Sequence, residues 1–129
     1  MNTITDIKER TARGPALKVN DEVPVDIEHL NLFTDGDPDE EKELLDLFFE
    51  QASLSVVELD AALGKEDHEA WEKVAHRLKG SAANLGAHIL SGACAEAEAE
   101  FQTDHASKTM FLISIKASLN DVQRFFEGR

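Results

Sequence analysis

Between Leu44 and Leu63 the apolar residues return every three or four positions: Leu44, Leu45, Phe48, Ala52, Val56, Leu59, Ala62 and Leu63. That spacing lays one apolar stripe along a helix. A stripe of this length must be buried, so it fixes the kind of fold the chain can adopt. The start of the helix is equally marked. In Asp37-Pro38-Asp39-Glu40 the aspartate is placed to cap, the proline suits the first helical position, and Glu40 stands where a capping-box partner belongs. Gly64 reads as its C-terminal stop.

Three further stripes come after it. Asp67 is placed to cap a helix that runs to about Leu85 and stops at Gly86. Ile89, Leu90, Ala93, Cys94, Ala97 and Phe101 share one face of the next, and Gln102 to Ala106 reads as a polar connection. Phe111, Leu112, Ile115, Leu119, Val122, Phe125 and Phe126 line the last, which ends near Gly128. Val25 to Phe33 is a short helix with Asp26 as its cap, followed by the turn Thr34-Asp35-Gly36. No segment alternates with period two, and there is no internal repeat. The expected fold is all-α: an antiparallel up-and-down four-helix bundle over residues 23–129, with a short extra N-terminal helix closing one end. Residues 1–22 include Gly14-Pro15 and hold no sustained period. They read as a mobile leader, with a partial helix around Ile4 to Thr11.

Composition narrows the function. A chain of 129 residues closes one hydrophobic core without staples. Its formal net charge of −13 argues against nucleic acid, whose phosphates would be repelled by most of the surface. The single cysteine, Cys94, has no internal disulfide partner and sits on an apolar face, where it fills core. No apolar run approaches the roughly 18 residues of a membrane span, and Met1 to Asp6 lacks the character of a secretory signal. The expectation is a cytoplasmic monomer, off the membrane.

The chemistry gathers in Ala75 to Ala87. At about 100° per residue, Trp71, Val74, Leu78, Ala82 and Leu85 fall in one arc, and His76 lies roughly 150° from its centre. His76 therefore faces outward. Lys79, Gly80, Ala83 and Ala87 are read around it on the same side, small where a surface helix ordinarily carries long polar side chains. A glycine inside a helix costs about 1 kcal/mol relative to alanine, so Gly80 is read as clearance for a bulky partner. An exposed imidazole is a competent nucleophile near neutral pH. Lys79, at i+3, is placed to stabilise a phosphoryl group on it. Lys73 and Arg77 complete a local basic spot, which Glu72 at i−4 opposes. His68, Glu72 and His76, spaced by four, form a rival constellation of three metal-ligating groups with no obvious fourth. No nucleotide-binding signature appears anywhere.

The stretch His76-Arg77-Leu78-Lys79-Gly80-Ser81-Ala82-Ala83-Asn84-Leu85-Gly86-Ala87 closely resembles the signature of histidine-containing phosphotransfer (HPt) domains. Asp37-Pro38, Leu45, Phe48, Asp67 and Trp71 match that family's lead-in; Leu90, Cys94 and Glu98 match its usual continuation. Ala97 departs from it, standing where a leucine is common. The resemblance implies a four-helix bundle with His76 phosphorylated, Lys79 stabilising charge and Gly80 admitting the partner. It implies a phosphocarrier and not an autonomous kinase, passing phosphoryl groups to or from receiver-domain aspartates in a two-component phosphorelay. The partners would be response-regulator receivers and a hybrid sensor histidine kinase, docking around Lys73, Arg77, Ala83 and Ala87. No cofactor of its own is implied; Mg2+ would come with the receiver. The competing reading is an unphosphorylated bundle that acts as an adaptor or inhibitor of a kinase or receiver.

Overall fold

The computed structural model describes residues 23–129. The leader assigned to residues 1–22, with its partial helix, lies outside them. Five helices run in order: α1 (Ile27–Thr34), α2 (Pro38–Lys65), α3 (His68–Leu85), α4 (His88–Ala99) and α5 (His105–Glu127). No strand occurs among the described residues. Helices α2 to α5 pack as a closed ring of neighbours, α2 on α3, α3 on α4, α4 on α5 and α5 back on α2, while α1 rests against α3 and α2. The short links force successive helices antiparallel. This is the expected bundle.

The caps read at Asp26, Asp37 and Asp67 form as the sequence foretells, and Asp104, read as part of a polar connection, adds a fourth. Asp26, Asp37, Asp67 and Asp104 each accept a backbone N–H from the first turn of the helix they precede. Two boundaries differ. Gly64 does not stop α2, which continues to Lys65 and turns at Glu66, whose φ of +54° is left-handed. Asp67 caps α3 at a fixed point, so the reversal is squeezed into Glu66 and falls two residues beyond the glycine. The link before α5 also lies two residues earlier than Gln102 to Ala106, running from Glu100 to Asp104: α4 ends at Ala99, and Asp104 caps the next helix at His105 through Ser107 N, at 2.8 Å.

The core is built from the predicted stripes. Trp71, Leu59, Leu78, Leu90 and Ile115 are fully buried, and the Trp71 indole N–H is satisfied by Ala97 O at 2.9 Å. At such sites the apolar body supplies burial while the polar edge finds a partner. One core member is unexpected. Lys108, a turn ahead of the predicted α5 stripe, is buried with its ammonium 5.3 Å from the Trp71 ring centroid and bonded to His68 Nδ1. Burial lowers its pKa, and the nearby Asp67 and Glu66 carboxylates oppose that shift.

Gly86 places α1. Its φ is +89°, and a Cβ there would stand 2.7 Å from Asp26 O. The Asp26 N–H donates to Gly86 O at 2.8 Å, which pins the start of α1 to the end of α3. Here the missing side chain serves a close backbone approach.

Candidate functional site

His76 lies midway along α3 with its side chain 67% exposed, on the flank facing α4. The stripe of Trp71, Val74, Ala75, Leu78, Ala82 and Leu85 buries the opposite face of the helix, so amphipathicity alone sends the imidazole outward. Its orientation comes from α4. Glu98 Oε2 lies 2.8 Å from His76 Nδ1, and Glu98 Oε1 lies 2.7 Å from Lys79 Nζ. One carboxylate thus bridges the histidine and the lysine. The hydrogen bond from Lys79 holds the Glu98 carboxyl below its usual range, its partial burial opposes this, and His76 adds to the lowering. An ionised carboxylate only accepts, so the Nδ1 facing it carries the proton. In the neutral ring the free lone pair then belongs to Nε2, on the side away from Glu98.

The remaining predicted residues are not all brought together. Gly80 is exposed in mid-helix, and a Cβ built on it would meet nothing within 4 Å. Its lack of a side chain answers no packing need among the described residues. Ala83 is half-buried on the same side of α3. Arg77 turns toward α2, where it donates to Glu58 and, at 3.3 Å, to Ser55 Oγ. Lys73 stands 3.9 Å from Glu69, both exposed. Ala87 is a correction. Extending the α3 wheel past Leu85 puts it on the outward face, but Gly86 breaks that helix and Ala87 is fully buried at the cap position of α4.

Sequence reasoning gives Glu98 no role in the site. A signal is present, a carboxylate on the flank of the α4 stripe and an unpartnered Lys79, but the rotation of α4 against α3 is a property of packing. Ser91 marks the same contact, its hydroxyl donating to Lys79 O at 3.1 Å. The His68, Glu72 and His76 constellation does not converge. His76 is committed to Glu98 on α4 and His68 to Lys108 on α5. Among the described residues no group of three or more His, Cys, Asp or Glu is disposed to hold a metal ion, and no helix is long and apolar enough to cross a membrane.

Comparison with known proteins points to one family. The family model described as Hpt domain matches residues 43–125, which contain His76, Lys79, Gly80 and Glu98. Over 83 residues, 64% of this chain, the sequence is 36% identical to the sensor protein TorS of Escherichia coli (strain K12). That stretch is 9% of the relative's length, so the likeness concerns one module of a much larger protein. With a helical bundle and a family model that matches more than half of its length, the chain belongs to the Hpt domain family, the phosphocarrier modules of histidine phosphotransfer in two-component signalling.

Proposed function

We infer that His76 Nε2 accepts a phosphoryl group from a receiver-domain aspartyl phosphate and returns it to another receiver aspartate. The observation that carries this reading is the Glu98 bridge to His76 Nδ1 and Lys79 Nζ. The Nε2 lone pair attacks phosphorus, the N–P bond forms as the P–O bond to the aspartyl carboxylate breaks, and that carboxylate leaves with the bonding pair. No proton need move. Nδ1–H keeps donating to Glu98, which offsets the positive charge the ring acquires. Lys79, a turn away on the same flank, is placed to share its ammonium between Glu98 and the new phosphoryl oxygens. The reverse transfer uses the same groups in reverse order.

In this reading the partner supplies the divalent cation and the catalytic aspartate, and Gly80 leaves room for it over His76. Leu54 and Val57 are exposed on α2 near Glu58, the residue that holds Arg77. They supply apolar surface for docking over the α2–α3 pair. The partners are receiver domains, with a hybrid sensor kinase as their source of phosphoryl groups, and the chain acts as a monomer.

The test is incubation with a panel of phosphorylated receiver domains. Acid-labile, base-stable label on wild type, absent from His76→Gln, supports the carrier. Binding to receivers with no label on wild type overturns it in favour of an adaptor or inhibitor.

A further inference from the structure

The α2–α3 turn and the α4–α5 link meet at the end of α3 away from Gly86. Between them lies a cavity of about 390 Å3, with Leu63, His68, Gln102, Thr103 and Lys108 in its walls. Small-ligand pockets run from roughly 300 to 1,000 Å3. Lys108 gives this one its chemistry. The residue is buried, its Nζ stands 5.3 Å from the Trp71 ring centroid, and its hydrogen bond goes to His68 Nδ1. Lysines are seldom buried so far without a carboxylate in contact. Here Asp67 and Asp104 spend an oxygen on capping α3 and α5, and Glu66 is exposed in the turn. Burial lowers the Lys108 pKa against the pull of Asp67 and Glu66, which enlarges the neutral, nucleophilic fraction. An amine desolvated beside an aromatic ring and bonded to a base is arranged as an activated nucleophile.

We propose that Lys108 captures a short-chain aldehyde in this cavity as an iminium, with His68 relaying the protons. The Lys108 ammonium passes a proton to His68 Nδ1 along the hydrogen bond that already joins them. The freed lone pair attacks the carbonyl carbon, and the N–C bond forms as the carbonyl π pair moves to oxygen. Two protons leave the nitrogen in all. His68 carries them one at a time to that oxygen, which departs as water, and the third proton stays on the iminium. The nitrogen is cationic before and after. The Trp71 face and the Asp67 and Glu66 carboxylates that suit the ammonium therefore suit the product as well. An anionic ligand would be repelled by those same carboxylates. His68 is itself exposed, so it exchanges protons with water between turns.

The test uses the full chain, incubated near neutral pH with propanal and sodium cyanoborohydride, which reduces the iminium to a stable amine. Peptide mass spectrometry then gives the initial rate at each lysine. Lys108 should be alkylated about 100-fold faster than the exposed Lys73 and Lys116, the lower end of what a positioned proton-transfer group contributes. His68→Gln should lose most of that advantage and leave Lys73 and Lys116 at their wild-type rates. Unfolding the wild type in urea should bring the three lysines level, an arm that needs no variant. Two results overturn the proposal. One is a folded wild type in which Lys108 reacts no faster than Lys73 and Lys116. The other is a His68→Gln protein, folded by its amide spectrum, that is alkylated at Lys108 at the wild-type rate.

Discussion

Replacing Gly80 with alanine should stabilise the protein and slow its transfer of phosphoryl groups. Gly80 is helical, and a Cβ there meets no atom of the described residues within 4 Å. The substitution thus gains helix propensity at no steric cost, about 0.5–1 kcal/mol. For a domain of this size that raises the melting temperature by roughly 2–5 °C. The docked partner is another matter. If it closes over Gly80 to reach His76, an added methyl in a packed interface costs about 1–3 kcal/mol. At 1.36 kcal/mol per tenfold, kcat/KM for transfer from a phosphorylated receiver falls roughly 5- to 150-fold. Gly64→Ala is the control, since Gly64 is also helical with open space around it, at the far end of α2. It should stabilise to a similar degree and transfer at the wild-type rate. Thermal unfolding and rapid-quench transfer assays measure the two halves. A Gly80→Ala protein that is stabilised yet transfers at the wild-type rate would refute the clearance argument.

Other perturbations separate the remaining elements of the site and fold. Glu98 titrates below its ordinary value of 4.5 in the folded protein, so the stability from its bonds is complete above that value and disappears as pH falls through the lowered one. The stability difference between wild type and Glu98→Gln should therefore shrink in acid, as pH falls from 4.5 through that lowered value. Chemical denaturation across pH checks this, and a constant difference down to pH 2 contradicts it. Lys108→Met should flatten the alkaline limb of the stability curve. Burial lowers the Lys108 pKa, so wild type gains stability relative to the variant as pH rises from that lowered value toward 10.5; parallel curves would be the contrary result. Gly86→Ala forces a left-handed alanine against Asp26 O, which costs about 1–2 kcal/mol for the backbone conformation alone. It should loosen α1, read as faster amide exchange at Leu30. Burial pushes the Cys94 thiol up to about 12, so it should resist alkylation at neutral pH until the protein unfolds. Rapid native-state labelling would argue against its burial.

The bundle is legible in the sequence because helices announce themselves locally. Each stripe is a spacing within one segment, and the aspartates at 26, 37 and 67 cap whichever helix comes after them. The points that mislead depend on contacts across a gap. Gly64 carries the right chemistry to end α2, yet the cap at Asp67 decides where the turn falls. Ala87 seems outward only if the wheel is continued through Gly86, a residue whose φ of +89° ends that helix. Lys108 reads as a surface residue because a lysine is seldom buried. Its burial rests on His68 and Trp71, some forty residues away along the chain.

The site itself shows how packing turns a patch of charge into a particular chemistry. In the sequence Lys73, Arg77 and Lys79 are one basic spot beside His76. In the fold Arg77 is drawn to α2 by Glu58 and Ser55, and Lys73 makes an exposed pair of little energetic weight with Glu69. Lys79 is the cation held at the imidazole, through the carboxylate it shares with it. A phosphoryl group adds close to two negative charges. Beside it would stand one ammonium and the Glu98 carboxylate, so the added charge is only partly neutralised. Arg77 standing free at the same spot would hold the group with a bidentate clamp. In the relay proposed for this chain, partial neutralisation would suit both halves of the task, accepting a phosphoryl group and releasing it to the next aspartate.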